Sequence, residues 1–375
     1  MAPHERQALF DTIATERMGL ISDLFQTRRA GMLGLDISAR RVKLLELSHH
    51  GATSSVTAYA SEMLPAGSVH DAHIEDAEAV ARAVRAAVVK SGTRTRHAAI
   101  AVSGPSVISK IIRMPADLSD TEIEQQIEVD AETYLSQPLR DVFLDFQILE
   151  ADPRDARFNR VLLVACRRET VELRIAAMEM AGLTVGLVDV EEYALQNACS
   201  LLDRANTGRD SWFAVFDVGA LDTRLTVQQG ARSRYTRALD FGGQAIAEAL
   251  TRHHGLSDIQ QLHSQLRTGE LTVEDIAADI DIFAEALAHR VEQSLRFFLS
   301  ANAESNQAID RVVVTGGVAR YPGLADAIAA RLPWRVTLGD PLAGMSIAAS
   351  ARRNHVDDEA PSLMIAAGLA LRGQT

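Results

Sequence analysis

Cysteine is nearly absent. The chain of 375 residues has two, Cys166 and Cys199, with no paired spacing. That excludes a disulfide framework and fits a reducing compartment, the cytoplasm. Long apolar runs are missing too: no stretch approaches the roughly 18 residues of a membrane helix, and the N-terminus lacks a basic-then-apolar signal peptide. Any link to a membrane is therefore expected to be indirect, through a partner. Basic residues are in deficit, with 38 Lys and Arg against 50 Asp and Glu, a formal net charge of -12. An acidic chain repels a phosphate backbone, so nucleic acid is excluded as a general partner. No Gly-x-Ser-x-Gly is present, which excludes the nucleophile elbow. His49 and His50 are adjacent but have no carboxylate or cysteine at metal-ligand spacing.

Hydrophobic residues make up 47% and charged residues 23%, an ordinary globular balance. A single core rarely exceeds about 250–300 residues, so two lobes are expected. Residues 1–30 differ from the rest. Met1 to Arg17 is polar, and Met18 to Arg29 spaces Leu20, Ile21, Leu24 and Phe25 as one face of a short helix. Met18 is a candidate native start.

The chain is organised around Leu33 to Leu47, which reads as a buried strand ending in Asp36, a tight turn holding Ser38, and a return strand carrying Lys43. A carboxylate, a tight turn and a lysine in such proximity suit the phosphates of a nucleotide and its metal ion. Trp212 to Gly230 repeats the template: a strand ending in Asp217, then Gly219, then a return strand from Thr223 to a hairpin at Gly230, as Gly51 ends the first copy. Two copies of one design predict a duplicated fold with a ligand cleft between them.

The expected chemistry is specific. Backbone amides of a turn donate to phosphate oxygens and need small residues for close approach; Gly219 fits that role. Lys43 reaches a phosphate as a point charge. Asp36 and Asp217 face each other and hold Mg²⁺, chiefly through its waters. Gly242-Gly243 and Gly316-Gly317, each beside a helix start, let a base and ribose lie on bare backbone. Glu191 and Glu192 open a helix; either is a helix-start carboxylate or a positioner of water. Between the hairpins, Ala79, Val80, Ala83, Val84, Ala87 and Val88 mark one face of a helix over Asp76 to Ser91. Ser119 and Glu122 form a capping box. The acidic residues that follow Glu122 are expected on the solvated face of a helix whose other side carries Ile123, Ile127, Ala131 and Leu135.

The order of two phosphate turns and an adenosine turn resembles the actin-like ATPases. Within them the chain is most similar to the PilM family of type IV pilus assembly. The resemblance rests on LSDTEIEQQIEVDAETYLSQPLRDVFLDFQIL (118–149), VLLVACRRETVELRIAAMEMAGLTVGLVDVEEYALQNA (161–198), VVVTGGVARYPGLADAIAARL (312–332) and GDPLAGM (339–345). It implies an α/β, duplicated actin-like (ribonuclease H-like) fold with an inserted subdomain placed as in FtsA. The implied divisions are an extension (1–30), subdomain IA (31–59 and 166–210), subdomain IC (60–165), subdomain IIA (211–254 and 306–350), subdomain IIB (255–305) and a return to IA (351–375). It implies ATP with Mg²⁺ at Asp36, Ser38, Lys43, Asp217, Gly219, Thr223, Gly242, Gly243, Ser294, Gly316 and Gly317. Ser38 departs from the family's usual glycine, so at most slow ATP hydrolysis is expected. The implied partner is the cytoplasmic N-terminal peptide of PilN, lying between subdomains IA and IC. Through it come the inner-membrane PilN–PilO–PilP assembly and, further on, pilus motor ATPases. Alternatives are an FtsA-like division anchor, which calls for a longer amphipathic tail than Gly373-Gln374-Thr375, and a sugar or acetate kinase, which calls for an aspartate base in a substrate pocket.

Overall fold

The computed structural model describes residues 31–50, 53–202, 211–230, 232–301 and 308–373. The helix expected over 18–29 and the hairpin glycine Gly51 lie outside them. The chain begins as an antiparallel meander of β1 (Leu33–Ile37), β2 (Arg41–His50) and β3 (Thr53–Met63). A short ribbon, β4 (Val69–His70) with β5 (His73–Ile74), leads into the helix Ala77–Ser91. Asp76 caps that helix by accepting from the Ala79 amide at 2.9 Å, and Gly92 ends it at a φ of 72°, the left-handed position where glycine carries no steric penalty. β6 (His97–Val102) then pairs parallel to β1.

β7 (Val107–Pro115), β8 (Val142–Ala151) and β9 (Phe158–Arg167) form a separate sheet in the order β7-β9-β8. β10 (Thr184–Val190) returns to lie parallel to β6. The second lobe repeats the plan. β11 (Trp212–Val218), β12 (Thr223–Gln229) and β13 (Arg232–Leu239) form a meander, and β14 (Arg311–Thr315) and β15 (Arg335–Leu338) add in parallel, giving the order β13-β12-β11-β14-β15. The first sheet has the matching order β10-β6-β1-β2-β3, extended at its edge by β16 (Ser346–Ile347). This is the duplicated frame that the two hairpins predicted.

The sequence pattern explains the layering. β1 is buried at every position and β6 at all but His97, as expected of strands covered on both faces. The helix Val273–Ala301 buries Ile276, Ile280, Phe283, Leu287, Val291, Leu295 and Phe298 at helical spacing, and this stripe covers β11, β12 and β14 in the second lobe's core. The lobes share a further core. The helices Glu191–Leu202 and Met364–Arg372 contribute Ala194, Leu195, Met364 and Leu369, which pack with Ala99 and Ala101 of one sheet and Phe213, Val215 and Val313 of the other.

The expected insertion, 60–165, is too wide. β3 extends to Met63, the helix Ala77–Ser91 packs on the first sheet through Val80, Val84 and Ala87, and β6 is an interior strand of that sheet. The separate sheet spans 107–167 only. Periodicity identifies a strand but not its sheet, and β6 sits inside the main sheet, where its continuous apolar run is buried on both faces. The helix expected to run from Ser119 through Leu135 breaks at Asp130 into Asp120–Val129 and Ala131–Tyr134. Its capping box is present, with the Ser119 amide donating to Glu122 Oε2 at 2.8 Å and the Glu122 amide to Ser119 Oγ at 3.4 Å. Ile123 and Ile127 are buried, and the acidic residues Glu122, Glu128 and Glu132 are not.

Candidate functional site

The two hairpins are built alike, atom for atom in places. In the first, Ser38 N–H donates to Arg41 O at 3.0 Å; in the second, Gly219 N–H donates to Asp222 O at 2.9 Å. Seven residues beyond each aspartate, directly opposite it across the strand pair, stands a cation: Lys43 faces Asp36 and Arg224 faces Asp217. Lys43 Nζ lies 3.0 Å from Asp36 Oδ2 and donates to Ser362 O at 2.8 Å. Arg224 Nη2 lies 2.5 Å from Glu191 Oε2 and 3.5 Å from Asp222 Oδ2.

The aspartates share one electrostatic environment. Burial pushes the Asp217 carboxyl above the usual carboxylate range. Arg224, the Thr315 hydroxyl at 2.9 Å and Lys43 oppose that shift, while Asp36 adds to it. Lys43 and Asp36 belong to the first lobe, so both hairpins converge on one cluster. For Arg224, burial alone would favour loss of the proton. The carboxylates of Glu191, Asp222, Asp217 and Asp36 outweigh burial and hold its pKa above the ordinary arginine value.

Ser38, at the position matching Gly219, also turns its hydroxyl onto Arg41 O at 3.0 Å. The side chain thus tightens the turn. In both hairpins the amide at this position closes its own turn.

The glycines bind these loops to one another. Gly243 N–H donates to Gly219 O at 2.9 Å and Gln244 N–H to Ala220 O at 2.8 Å. A Cβ on Gly242 would fall 2.5 Å from Leu221 C. Gly316 has a φ of 94°, donates its N–H to Pro361 O at 2.7 Å, and would place a Cβ 2.6 Å from Val218 N. Thr223 is fully buried, its hydroxyl donating to Phe241 O at 2.6 Å, so it pins the Gly242-Gly243 turn. Gly317 differs: a Cβ there would meet nothing within 4 Å, so its backbone is open to approach. Ser294 is buried on the helix Val273–Ala301. One turn earlier, the Arg290 guanidinium stacks 4.0 Å from the centroid of Phe241, which precedes Gly242.

Three groups at the junction of the lobes were not singled out from the sequence. Arg224 is legible in hindsight, because aligning the two hairpins residue for residue sets it against Lys43. Thr315 and Glu359 carry no such signal. Glu359 is buried and joins Arg41 of the first hairpin at 3.0 Å to Arg320 at 2.9 Å. Glu192, the other helix-start carboxylate, accepts from the Thr236 hydroxyl on β13. Replacing Arg224 with Met is expected to cost about 1.5–3 kcal/mol of stability, because a charge-assisted hydrogen bond to a buried carboxylate is lost. The check is a double-mutant cycle with Glu191→Gln in denaturant unfolding; additive effects would show that the pair is not coupled.

Among the described residues no group of three or more His, Cys, Asp or Glu is arranged to hold a metal, and no helix is long and apolar enough to cross a membrane. Both cysteines are free and buried, and burial pushes the Cys199 thiol up to about 12.

The family model for the type IV pilus assembly protein PilM matches residues 34–374. The chain belongs to the PilM family. The solved PilM–PilN type IV pilus biogenesis complex is similar to it at 27% sequence identity with a TM-score of 0.73, over 92% of this chain and 99% of that one. The ethanolamine utilization protein EutJ from Carboxydothermus hydrogenoformans shares the fold at 16% identity and a TM-score of 0.52, over 92% and 91% of the two chains. The fold of this PilM-family protein is accordingly the actin-like one, and the sheet spanning 107–167 is an insertion in its first lobe.

Proposed function

We propose that this protein binds the cytoplasmic N-terminal segment of PilN and, in its cleft, ATP with Mg²⁺. It thereby ties the inner-membrane PilN–PilO–PilP assembly to the cytoplasmic pilus machinery, including its motor ATPases. The observation that carries the reading is the similarity to the PilM–PilN complex along nearly the whole of both chains. In this reading the protein is cytoplasmic and peripheral at the inner membrane, held there by its partner.

The residues present fit the nucleotide. Asp36 and Asp217 supply the two carboxylates that suit a hydrated Mg²⁺, an ion usually held by one or two carboxylates together with phosphate oxygens. Lys43 and Arg224 supply cations on either side, and the open backbone at Gly317 supports a base or ribose lying against it. When bound, Mg²⁺ would neutralise phosphate charge. The protein's own contribution is to hold the carboxylates and cations in register on two rigid hairpins. Turnover is slow at most, because Glu191, the carboxylate best placed at a helix start, is already engaged by Arg224.

The PilN segment is assigned to the junction of the inserted sheet with the first lobe, where the sheet's lobe-facing side is partly uncovered. A synthetic peptide of the PilN N-terminus, titrated into the purified protein by calorimetry, should bind with one-to-one stoichiometry whether or not nucleotide is present. No heat and no saturation at high micromolar peptide would mean that the attachment is made some other way.

A further inference from the structure

The solvent face of the helix Ala77–Ser91 is basic, in a chain whose net charge is -12. Between Glu78 and Asp117 the sequence has seven Lys and Arg and no carboxylate. The core face of the helix takes Val80, Val84, Ala87 and Val88, so the helical period turns Arg82, Arg85, Ala86 and Val89 outward. All four are exposed, Val89 to 76%. The Arg85 guanidinium donates to Met180 O at the end of the helix Arg168–Met180, which sets the exposed Met180 beside it.

The loop after the helix extends this face. Glu46 of β2 accepts from the hydroxyls of Thr93, at 2.9 Å, and Thr95. With both threonines turned inward, the residues between and after them, Arg94 and Arg96, stand exposed. Arg96 Nη1 donates to Thr93 O at 3.1 Å and Thr95 O at 3.0 Å, so the loop is braced by its own backbone. On the other flank Asn354 Nδ2 donates to Lys90 O at 3.2 Å. That contact brings the exposed Arg352 and Arg353, the last residues of the helix Ala349–Arg353, to the same end of the face. Glu78 lies 3.6 Å from Arg82, and Glu62 2.8 Å from Lys90. Among the described residues no carboxylate pairs with Arg85, Arg94, Arg96, Arg352 or Arg353. The exposed Glu179, Asp357 and Asp358 border the face and leave it positive.

We propose that this face lies directly on the anionic headgroups of a lipid bilayer. Arg85, Arg94 and Arg96 meet headgroup phosphates, and Val89 and Met180 reach the acyl boundary, the arrangement by which a basic helix with exposed apolar side chains adsorbs to an interface. The charges come from three separate chain segments and surround the outside of a helix. That spread suits an extended charged surface better than a single peptide strand. The contact is distinct from attachment through PilN and stands or falls without it. A surface of this kind binds weakly alone and gains from a second tether. With a tether present, it decides which side of the protein faces the bilayer.

The test is co-sedimentation of the purified protein, without PilN, with vesicles of phosphatidylglycerol and of phosphatidylcholine. At low salt the wild type should partition onto phosphatidylglycerol at least roughly tenfold more strongly, given several basic side chains near the surface, and the preference should shrink as salt is raised. The combined variant Arg85→Glu, Arg94→Glu and Arg96→Glu should lose the preference while keeping the wild-type melting curve. Val89→Trp places a reporter at the centre of the face. Its emission should be quenched by phosphatidylglycerol with brominated acyl chains, beyond any quenching in the wild type. Equal partition onto the two lipids, a charge reversal without effect, or an unquenched Trp at position 89 overturns the proposal. Binding to poly-glutamate that phosphatidylglycerol vesicles do not reproduce also overturns it and assigns the face to an acidic protein.

Discussion

A Lys43→Met protein is expected to bind ATP roughly 10- to 100-fold more weakly than the wild type, because charge-assisted contacts are worth about 1.5–3 kcal/mol each. Two features of the site sharpen this expectation. Lys43 is held in place before any ligand arrives, between Asp36 Oδ2 at 3.0 Å and Ser362 O at 2.8 Å, so little ordering of its long side chain remains to oppose binding. Its removal also leaves Asp36, only 5% exposed, without its cation. The protein should therefore lose stability even without nucleotide, and melting curves of both proteins in nucleotide-free buffer separate that loss from the affinity change. Arg224 cannot take its place, since it stands on the other hairpin, opposite Asp217. Equal ATP affinities for wild type and Lys43→Met would remove the first hairpin from the phosphate site.

The largest stability effect is expected at Gly368. A Cβ there would lie inside the van der Waals envelope of Ala194 O and 2.6 Å from Ala194 C. Gly34 is placed similarly on the other side of the same helix, where a Cβ would fall 2.7 Å from Ala370 N. The helix Met364–Arg372 is thus clasped, backbone to backbone, between β1 and the helix Glu191–Leu202. The two helices belong to the core that joins the lobes, and backbone cannot yield as a flexible side chain does. Gly368→Val should cost more than about 4 kcal/mol, the range reserved for named disruptions of a packed core. It should reduce soluble yield or lower the denaturant midpoint sharply. Gly317→Ala is the matched comparison. Its Cβ meets nothing within 4 Å, so the fold should be unchanged within about 0.5 kcal/mol, while ATP affinity falls because the open backbone is covered. A Gly368→Val protein as stable as the wild type would contradict the clasp.

The contrast between these glycines shows where sequence reading reaches its limit. Gly219, Gly242, Gly316 and Gly317 all stand out as places where a ligand might approach bare backbone. In the fold, Gly242 and Gly316 are glycines because loops of the same protein press on them, leaving Gly317 as the open one. A glycine records that something comes close; it does not record whether that is ligand or chain. Thr223 makes the same point, since its hydroxyl is committed to Phe241 O.

The duplicated hairpins were legible because a repeat is a comparison within one chain and needs no third dimension. Asp36, Lys43 and Asp217 follow from it directly, and Arg224 would have followed had the two return strands been compared residue for residue. The width of the insertion was not legible. β6 and β7 are adjacent apolar strands in the sequence, yet the first is interior to the main sheet and the second belongs to another. What separates them is the set of partners available in space. Glu359 lies far along the chain from Arg41, and Arg320 from both, so nothing local announces the bridge they form.

A crystal structure of the protein with a non-hydrolysable ATP analogue, Mg²⁺ and the PilN N-terminal peptide tests the central claim most directly. The account predicts the triphosphate between the turns at 38–41 and 219–222, within reach of Lys43 where it stands beside Asp36, and the peptide at the junction of the inserted sheet with the first lobe. Phosphates bound away from both turns, or a peptide seated on the second lobe, would contradict it.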